Sequence, residues 1–513
     1  MFIFILRRFV TSALVVLAST FVMYILTDIA IDPLDDLRTS TAPNKQQLIE
    51  GRIAQLRLDE PVVTRYVDWL AGASKCVIGQ CDLGTAWRSG QSVTSMLGGA
   101  ILTTIQLVTA ATLLAILVGV AVGIVSALRQ YSGFDYSVTF LSFLLYSLPV
   151  FWVAVLLKQY AAIGFNTFLA DPHLGWPTMI GISLVSGLIW AGIAGGSRAR
   201  RLRVLGVGTA ATLAVLAYID VTSWLSDPGL GIVAIAVLGA GIAFLATHLS
   251  TGLRNTRARN AALTTAAIGV ALYYPLQYFY YYVGASWPIM FALLGLTLLV
   301  SVLVGWAWGG PDWKQSARTA TITAVPVAAL LFIDRVMSVW QVYSESNLIK
   351  GRPIATIGPK TPGMTGDFWI ENLDSFTHLL LPTIALVLIS FAGYTRYSRA
   401  SMLEVMNQDY IRTARAKGLT ERTVVMRHAF RNSLIPLASI VPVDIITLVG
   451  GAVITETIFN WFGMGRLFVV SLDGDEIDPI MAYLLIVGVL AVLANFVADL
   501  LYAVLDPRIR VNA

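Results

Sequence analysis

The chain alternates long apolar runs with short polar segments. Runs of about 18 or more apolar residues recur, and each is long enough to cross the hydrocarbon core of a membrane as a helix. The pattern predicts an all-α integral membrane protein with about twelve transmembrane helices. The predicted spans are 9–31, 101–128, 137–164, 177–196, 204–225, 229–249, 260–283, 287–308, 318–340, 377–395, 434–455 and 480–504.

Composition and charge placement support this class. Hydrophobic residues make up 57% of the chain and charged residues 13%, whereas soluble domains carry about 25% charged residues. If the N-terminus lies inside and the spans alternate, the inside segments hold 22 of the 35 Lys and Arg residues but only six acids. The positive-inside rule therefore predicts cytoplasmic N- and C-termini. The net charge of +5 reflects this orientation, so no nucleic-acid partner is expected.

The first apolar run follows the basic residues Arg7 and Arg8, as in a secretory signal peptide. It is too long for such a peptide, and no small-x-small cleavage site precedes Asp32. We expect residues 9–31 to be a retained first span.

A basic segment between the tenth and eleventh predicted spans is the richest in signals. Ala414 and Ala416 favour a helix, and Gly418 can adopt the left-handed conformation that ends one. Thr420 can cap the next helix. The segment is predicted to form two short helices with a break between them, a shape suited to docking in a groove on a soluble partner. The alternative is a charged loop that only sets the topology.

Two motifs in this segment carry a family resemblance. Residues 410–419 are Tyr-Ile-Arg-Thr-Ala-Arg-Ala-Lys-Gly-Leu, and residues 427–436 are Arg-His-Ala-Phe-Arg-Asn-Ser-Leu-Ile-Pro. They resemble the loop with which the permeases of ATP-binding-cassette (ABC) importers touch the ATPase, in the peptide/nickel branch. The general pattern starts Glu-Ala-Ala, but Arg-Thr-Ala stands here, and the gap to residues 435–436 is longer; both departures fit that branch. The resemblance implies ATPase-coupling roles for Tyr410, Arg412, Ala414, Arg415, Ala416, Lys417, Gly418, Leu419, Thr420, Glu421 and Arg422.

The resemblance covers about 1–176 and 341–513, and it implies a six-helix type I importer core interrupted by six further spans. The inserted spans have three open interpretations: a bundle packed beside the core, a surface for lipid or another subunit, or a lining of the pathway. The tail from Leu505 to Arg510 matches the end of the family and is expected to anchor the last helix at the cytoplasmic face. The predicted organisation is a first transmembrane helix (1–31), an extracytoplasmic segment (32–100), the first core part (101–176), an inserted bundle (177–340), an extracytoplasmic loop (341–376), and the second core part (377–513) with the coupling loop 396–433.

The two cysteines lie in the predicted outer segment. Four residues separate Cys76 from Cys81, so a small disulfide loop is geometrically possible, and the predicted compartment would preserve it. The alternative is a pair of free thiols. No histidine lies in this segment, and the chain shows no cluster with metal-ligand spacing, so no metal site is expected.

Candidate pathway or gate residues lie near the end of the chain. Asp444 falls near the middle of the eleventh span, where a carboxylate is costly and faces the bundle interior or water. It is a candidate for the pathway, near a peptide ammonium, or for a paired or protonated structural carboxyl. The connection 455–478 carries Glu456, Trp461 and Phe462, and it resembles the family's segment at the outer mouth. It is predicted to be a re-entrant gate or a contact for the binding protein, with an ordinary amphipathic loop as the alternative.

The chain has no Gly-x4-Gly-Lys-Ser/Thr loop and no defensible nucleophile–base arrangement, so it is not expected to be an enzyme or to bind a cofactor. The resemblance implies ATP and Mg on two cytoplasmic ATPase subunits, a second permease subunit in a heterodimer, and an extracytoplasmic substrate-binding protein that docks on the outer segment. It implies a lipid-embedded, multi-pass protein in the cell membrane of a prokaryote.

Peptides are the predicted substrates, with nickel, glutathione or another small solute as alternatives within the same class. A secondary transporter driven by an ion gradient is the alternative from another class. It predicts mid-membrane carboxylates in both halves of the chain, and only Asp444 is clearly so placed. A membrane enzyme is the third possibility, but it lacks a catalytic set.

Overall fold

The computed structural model describes residues 2–505, and within that range the regular elements are all helical. A single antiparallel bridge between Thr85 and Ser92 lies outside any strand. The prediction of an all-helical chain is therefore confirmed for the described residues. Residues 506–510 of the expected cytoplasmic anchor (505–510) lie outside the described residues.

The helices follow one another in three stretches. The first stretch contains α1 Phe2–Ala30, α2 Asp35–Thr39, α3 Lys45–Leu56, α4 Val62–Ser74, α5 Val93–Leu128, α6 Gly133–Ser147, α7 Val150–Leu156 and α8 Phe165–Leu169. The second contains α9 Trp176–Ala194, α10 Arg198–Val221, α11 Gly231–Ser250, α12 Thr256–Ala271, α13 Tyr273–Tyr282, α14 Trp287–Gly309, α15 Trp313–Met337 and α16 Trp340–Ser344. The third contains α17 Phe368–Met406, α18 Asp409–Ala416, α19 Glu421–Thr423, α20 Phe430–Ser433, α21 Ile435–Gly451, α22 Val453–Ile458, α23 Met464–Asp473 and α24 Ile477–Leu505.

Four further helical turns link these elements. Two are 3₁₀ turns, at Lys75–Ile78 and Gly310–Asp312. Two are π-helical, at Leu157–Gly164 between α7 and α8 and at Val424–Ala429 between α19 and α20.

Eight helical stretches in the described part of the chain are long and apolar enough to cross a membrane, which makes this a multi-pass membrane protein. The pair formed by Gly133–Ser147 and Val150–Leu169 would be a ninth. The count of twelve stays a prediction, because α12 and α21 have only 16 and 17 residues. The eight stretches are Val10–Thr39, Val93–Leu128, Trp176–Ala194, Arg198–Val221, Gly231–Ser250, Trp287–Met337, Phe368–Met406 and Ile477–Val497.

The predicted span 137–164 is wrong as one continuous helix. The chain bends by 101° between α6 and the helical run Val150–Leu169. Leu148, at the bend, has an extended backbone (φ −81°, ψ 131°), and Pro149 follows it. The proline ring clashes with a helical conformation of the preceding residue, so α6 ends at Ser147.

The chain forms two compact units. The first comprises 2–161, 356–359 and 379–505 of the described residues, and it has two cores that matter for the site. One core lies around Tyr66, Trp69 and Met464, which join α4 to α23. The other lies around Ile124 and Met402, on α5 and α17. The predicted boundaries of the insertion, 177 and 340, stay predictions.

The second unit comprises 162–355 and 360–378. Small residues allow its helices to approach closely: a side chain added at Gly305 on α14 would collide with the backbone of Ala317 on α15. The buried Asp334 fixes the start of α11, since its Oδ1 accepts from the backbone N of Leu230 at 2.7 Å and of Gly231 at 3.1 Å.

Candidate functional site

The predicted coupling loop contains a helix break at Gly418. The backbone N of Lys417 donates to Thr413 O at 3.0 Å, and the backbone N of Gly418 donates to Arg415 O at 2.9 Å, so α18 closes tightly. Gly418 then turns the chain with φ of +76°. A side chain would find open space here, but an L-residue is strained at this φ, so the position favours glycine for its backbone alone.

The expected side-chain cap by Thr420 is wrong. Thr420 has the extended backbone of a capping residue, and its carbonyl accepts from the backbone N of Val424 at 3.0 Å. Its hydroxyl, however, makes no hydrogen bond to the start of the helix and instead pairs with the Thr423 hydroxyl at 2.9 Å. Thr423, the third residue of α19, thus offers the Thr420 hydroxyl a partner that competes with the backbone N–H groups at the start of the helix.

One face of the loop is buried. Ile411 and Ala414 on α18 pack with Val424 against Ile124 on α5 and Met402 on α17. Ala414, which the resemblance implied as an ATPase contact, is therefore on the inner face. The loop is fastened to the ends of two long helices by apolar contacts on both sides of the Gly418 break.

The opposite face is exposed and has a net positive charge, with four basic side chains against one acidic one. It carries all the other residues predicted to couple to the ATPase: Tyr410, Arg412, Arg415, Ala416, Lys417, Gly418, Leu419, Thr420, Glu421 and Arg422. A solvated face that combines cationic, small and apolar groups can receive a complementary acidic or apolar groove on a partner.

An ion pair spans the break. Arg415 Nε donates to Glu421 Oε2 at 3.1 Å, and Arg415 Nη2 donates to Glu421 Oε1 at 2.6 Å. The hydrogen bonds from Arg415 lower the pKa of Glu421 below its ordinary value. A second link closes the loop, since Asn432 Nδ2 donates to the Tyr410 hydroxyl at 2.9 Å.

The connection 455–478 folds around Glu456, which is fully buried. Its Oε1 accepts from the Thr104 hydroxyl at 2.6 Å and its Oε2 from the backbone N of Arg466 at 2.9 Å. Trp461 is also fully buried, and its backbone N donates to Glu456 O at 2.8 Å. Of the predicted gate residues in this connection, only Phe462 is exposed, with the Arg466 guanidinium 5.8 Å from its ring centroid.

Asp444 does not share the contacts of this connection. It lies half-buried on α21, near the Tyr394 hydroxyl on α17, which has no hydrogen-bond partner among the described residues. Both interpretations of Asp444, as a pathway residue and as a structural carboxyl, therefore stay predictions.

The predicted outer segment is tied to the end of that connection. Thr85 N donates to Asp478 Oδ2 at 3.3 Å, Arg88 N donates to Glu476 Oε1 at 3.0 Å, and Trp87 Nε1 donates to Asp475 O at 3.1 Å. Cys76 and Cys81 are joined by a disulfide. A cavity of about 320 Å³ opens between the two segments, lined in part by Arg57, Trp69, Asp82, Trp87, Asp475 and Asp478.

Two residues without a role in the sequence argument hold the site together. Thr104, in an apolar run of α5, also accepts from the backbone N of Met464 at 2.8 Å, so a single hydroxyl bonds two points of the outer connection, Glu456 and Met464. Lys158 Nζ donates to Ile458 O at 3.2 Å. A hydroxyl inside an apolar helix gives no local signal of such a role.

Within residues 2–505 the structure shows no group of three or more His, Cys, Asp and Glu side chains arranged to hold a metal.

Comparison with known proteins identifies relatives of this chain. Residues 278–511 match the family described as binding-protein-dependent transport system inner membrane component. The oligopeptide transport system permease protein OppB of Mycobacterium bovis is 36% identical over 223 residues, which cover 42% of this chain and 66% of the relative. The dipeptide transport system permease protein DppB of Escherichia coli K12 is 33% identical over 265 residues, which cover 52% of this chain and 66% of the relative. The oligopeptide transport system permease protein AppB of Bacillus subtilis is 48% identical over 136 residues, which cover 26% of this chain and 43% of the relative.

The matches agree with the resemblance drawn from the coupling loop. The matched family segment contains the whole coupling loop and the outer connection around Glu456, and it starts inside the predicted insertion. The chain spans 66% of the length of the first two relatives, just under two thirds. The predicted resemblance to peptide permeases is confirmed by these matches, in which residues 278–511 match the family described as binding-protein-dependent transport system inner membrane component.

Proposed function

We propose that this chain is a transmembrane permease subunit of an ATP-driven ABC importer. It forms half of the translocation pathway for peptides that an extracytoplasmic binding protein delivers. The names of the relatives, which are permeases of oligopeptide and dipeptide transport systems, support the class and the substrate. The family also implies a complex with other subunits.

The construction of the coupling loop is the observation that carries the proposal. Ile411 and Val424 are fully buried against the ends of α5 and α17, while Arg412, Lys417 and Leu419 are exposed. A loop that served only to set topology would need the charges but not the buried face. A loop that transmits motion needs both, because force applied outside must reach the transmembrane helices.

The partners follow from this proposal. Two cytoplasmic ATPase subunits hydrolyse MgATP, since the chain has no phosphate-binding loop of its own. A second, similar permease completes the pathway, and the binding protein docks on the segment 32–100. The complex lies in the cell membrane of a prokaryote, with both termini of this chain in the cytoplasm, as the basic inside segments favour.

ATP drives the cycle by a coupling between distant sites. Closure of the ATPase pair moves the coupling loop, and the loop carries α5 and α17 with it. The two permeases then rock between outward-facing and inward-facing states. Tight substrate binding alone could not move a peptide uphill, because binding has no preferred direction.

Transport by the reconstituted complex tests the function. The complex, purified through a tag on this chain, is placed in proteoliposomes with its binding protein, and uptake of a labelled dipeptide is followed. We expect uptake that needs ATP and persists after ionophores collapse all ion gradients. Uptake that needs a gradient and proceeds without ATP would establish the secondary transporter instead.

A cross-link tests the proposed contact. Arg412→Cys is expected to form a cross-link to an ATPase subunit with a short bifunctional maleimide. Val77→Cys is the matched control, because Val77 is 91% exposed in the outer segment and should give no such product. A cross-link from position 77 and none from 412 would reverse the proposed orientation.

A further inference from the structure

Positively charged side chains gather at one end of the second unit. The Thr319 hydroxyl near the start of α15 donates to the Ser250 hydroxyl at the end of α11, at 2.9 Å. A side chain added at Gly310 would lie 2.8 Å from Nη1 of Arg257. The starts of α12 and α15 therefore lie side by side. Their basic residues are Arg254, Arg257, Arg259, Lys314 and Arg318.

A third cluster joins the same side of the membrane under the predicted spans. Helices α9 and α10 pack against each other, and α10 starts with Arg198, Arg200, Arg201 and Arg203. We call the segments 195–204, 251–260 and 309–318 the basic end. They hold nine Lys and Arg residues and one acid, Asp312. The turns at the opposite ends of these helices hold no Lys or Arg: 170–175, 222–230 and 283–286.

The charge of the basic end is not neutralised within the described chain. None of the nine side chains forms an ion pair with another described residue, and all except Arg259 are exposed. The helices α10, α12 and α15 also have no acidic residue in their first turns. The start of a helix carries a partial positive charge, so these cations do not stabilise the helices that they open.

Tryptophans mark the level of the basic end in the membrane. Exposed tryptophans lie near the end of α9 (Trp190), near the end of α14 (Trp306 and Trp308) and at the start of α15 (Trp313). Tryptophan is enriched where the bilayer meets water. The basic end therefore lies at the level of lipid headgroups.

Membrane orientation alone does not explain this density of charge. The turn 129–132 between α5 and α6, which the same topology places inside, contains one basic residue, Arg129. The three turns of the basic end have three times that number on average. Each Lys or Arg close to an anionic membrane surface adds to the attraction, so a dense and unneutralised cluster favours acidic lipids over zwitterionic ones.

We propose that the basic end binds the headgroups of acidic phospholipids, which gives the inserted helices a role as a lipid-binding surface. The recognition is electrostatic: the phosphate of an acidic lipid keeps the negative charge that choline neutralises in phosphatidylcholine. The position at headgroup level favours a lipid over an acidic segment of a protein partner. The proposal depends on the predicted spans but not on peptide import, so a failed transport assay leaves it standing.

Site-specific fluorescence quenching in the full chain tests the proposal. The two natural cysteines are joined in a disulfide, so Thr256→Cys introduces a single free thiol for a bimane label. In phosphatidylcholine vesicles, quenching by phosphatidylglycerol spin-labelled near the headgroup is compared with quenching by equally labelled phosphatidylcholine. We expect phosphatidylglycerol to associate several-fold more tightly at low salt, and high salt to abolish this preference. Gly284→Cys, in an exposed turn at the opposite end, is the matched control and should show no preference.

Paired substitutions assign the preference to the charge of the basic end. Arg254→Gln with Arg257→Gln should lower the relative association constant of phosphatidylglycerol, by up to about fivefold for each exposed charge removed. Arg254→Lys with Arg257→Lys keeps both charges and should keep the preference. Arg412→Gln with Lys417→Gln removes two exposed charges from the coupling loop and should leave quenching at position 256 unchanged. The salt titration needs none of these pairs, so it decides the matter if the glutamine pair does not fold.

Four results would overturn the proposal. These are equal quenching by the two lipids at position 256, the same preference at position 284, a preference that survives high salt, or full retention of the preference in the glutamine pair at 254 and 257. A preference that is lost once the ATPase subunits or the second permease are bound would assign the basic end to a protein partner and would also overturn it.

Discussion

Arg399 near the end of α17 binds Asp135 at the start of α6 through two parallel hydrogen bonds. The carboxylate is buried and also accepts from the Ser126 hydroxyl at 2.5 Å and from the backbone N of Tyr131 at 3.1 Å. Four donors from three parts of the chain thus saturate one carboxylate. Such saturation is what makes a buried charge tolerable.

Asp135→Asn should destabilise the protein by about 2 to 3 kcal/mol, because it leaves the partly buried Arg399 without its counter-charge. Unfolding by sodium dodecyl sulfate in mixed micelles measures the effect. Asp68→Asn is the control: it breaks the pair of Arg57 with Asp68, whose side chains are more than half exposed, and should cost less than about 1 kcal/mol. Equal effects of the two variants would contradict the assigned role of Asp135.

Gly463→Ala should disrupt the outer connection. A side chain there would collide with the Glu456 carboxylate and the Thr104 hydroxyl, which are bonded to each other. We expect a loss of about 2 kcal/mol, from overpacking and a weakened buried hydrogen bond, in the same unfolding assay. Gly98→Ala on α5 has open space and should leave stability within about 0.5 kcal/mol or improve it. A neutral Gly463→Ala would show that the connection is looser than described.

Gly418→Val should lower ATP-driven uptake at normal membrane insertion. Valine is strained at φ of +76°, at a cost of about 1 to 2 kcal/mol, so the loop would rearrange and lose its fit to the ATPase. We expect uptake to fall several-fold, with ATP hydrolysis by the complex retained but uncoupled from it. Gly241→Val, at an exposed position of α11, meets no neighbouring atom and should transport normally. Normal uptake by Gly418→Val would count against the mechanism.

The carboxyl group of Glu421 should titrate below the ordinary range for glutamate, because the hydrogen bonds from Arg415 lower its pKa. A depressed folded pKa means that the pair contributes stability above the unfolded pKa and loses it as the pH falls through the folded value. Carboxyl-carbon NMR of selectively labelled protein measures the midpoint. The midpoint should return to the ordinary range in Arg415→Gln but not in Arg412→Gln, which leaves the pair intact. High salt should reduce the shift, since the pair is exposed.

The features that the sequence predicts well depend on neighbouring residues. Gly418 is a local signal, because only glycine adopts a positive φ without strain, and the helix break follows from it. The assignment to membrane proteins is local as well, because it depends on the length of continuous apolar runs in the sequence.

The features that the sequence did not predict depend on contacts across the chain. Asp135 and Arg399 are 264 residues apart, and Thr104 and Glu456 are 352 apart, so no spacing rule links them. The bend at Leu148 had a local signal in Pro149. Proline alone does not predict a bend, because prolines are tolerated within transmembrane helices. The burial of Ala414 was missed because a small residue suits a docking surface and a packed interior equally well.

The buried face of the coupling loop determines how much of a displacement of the loop would reach the transmembrane helices. Ile411 precedes the break and Val424 follows it, yet both lie in the same cluster with Met402. Closely packed interiors are hardly compressible, so a thrust of an ångström on Lys417 would not be absorbed by rearranging side chains. The displacement would reach α5 and α17 almost undiminished, because the packed cluster that joins them to the loop is rigid.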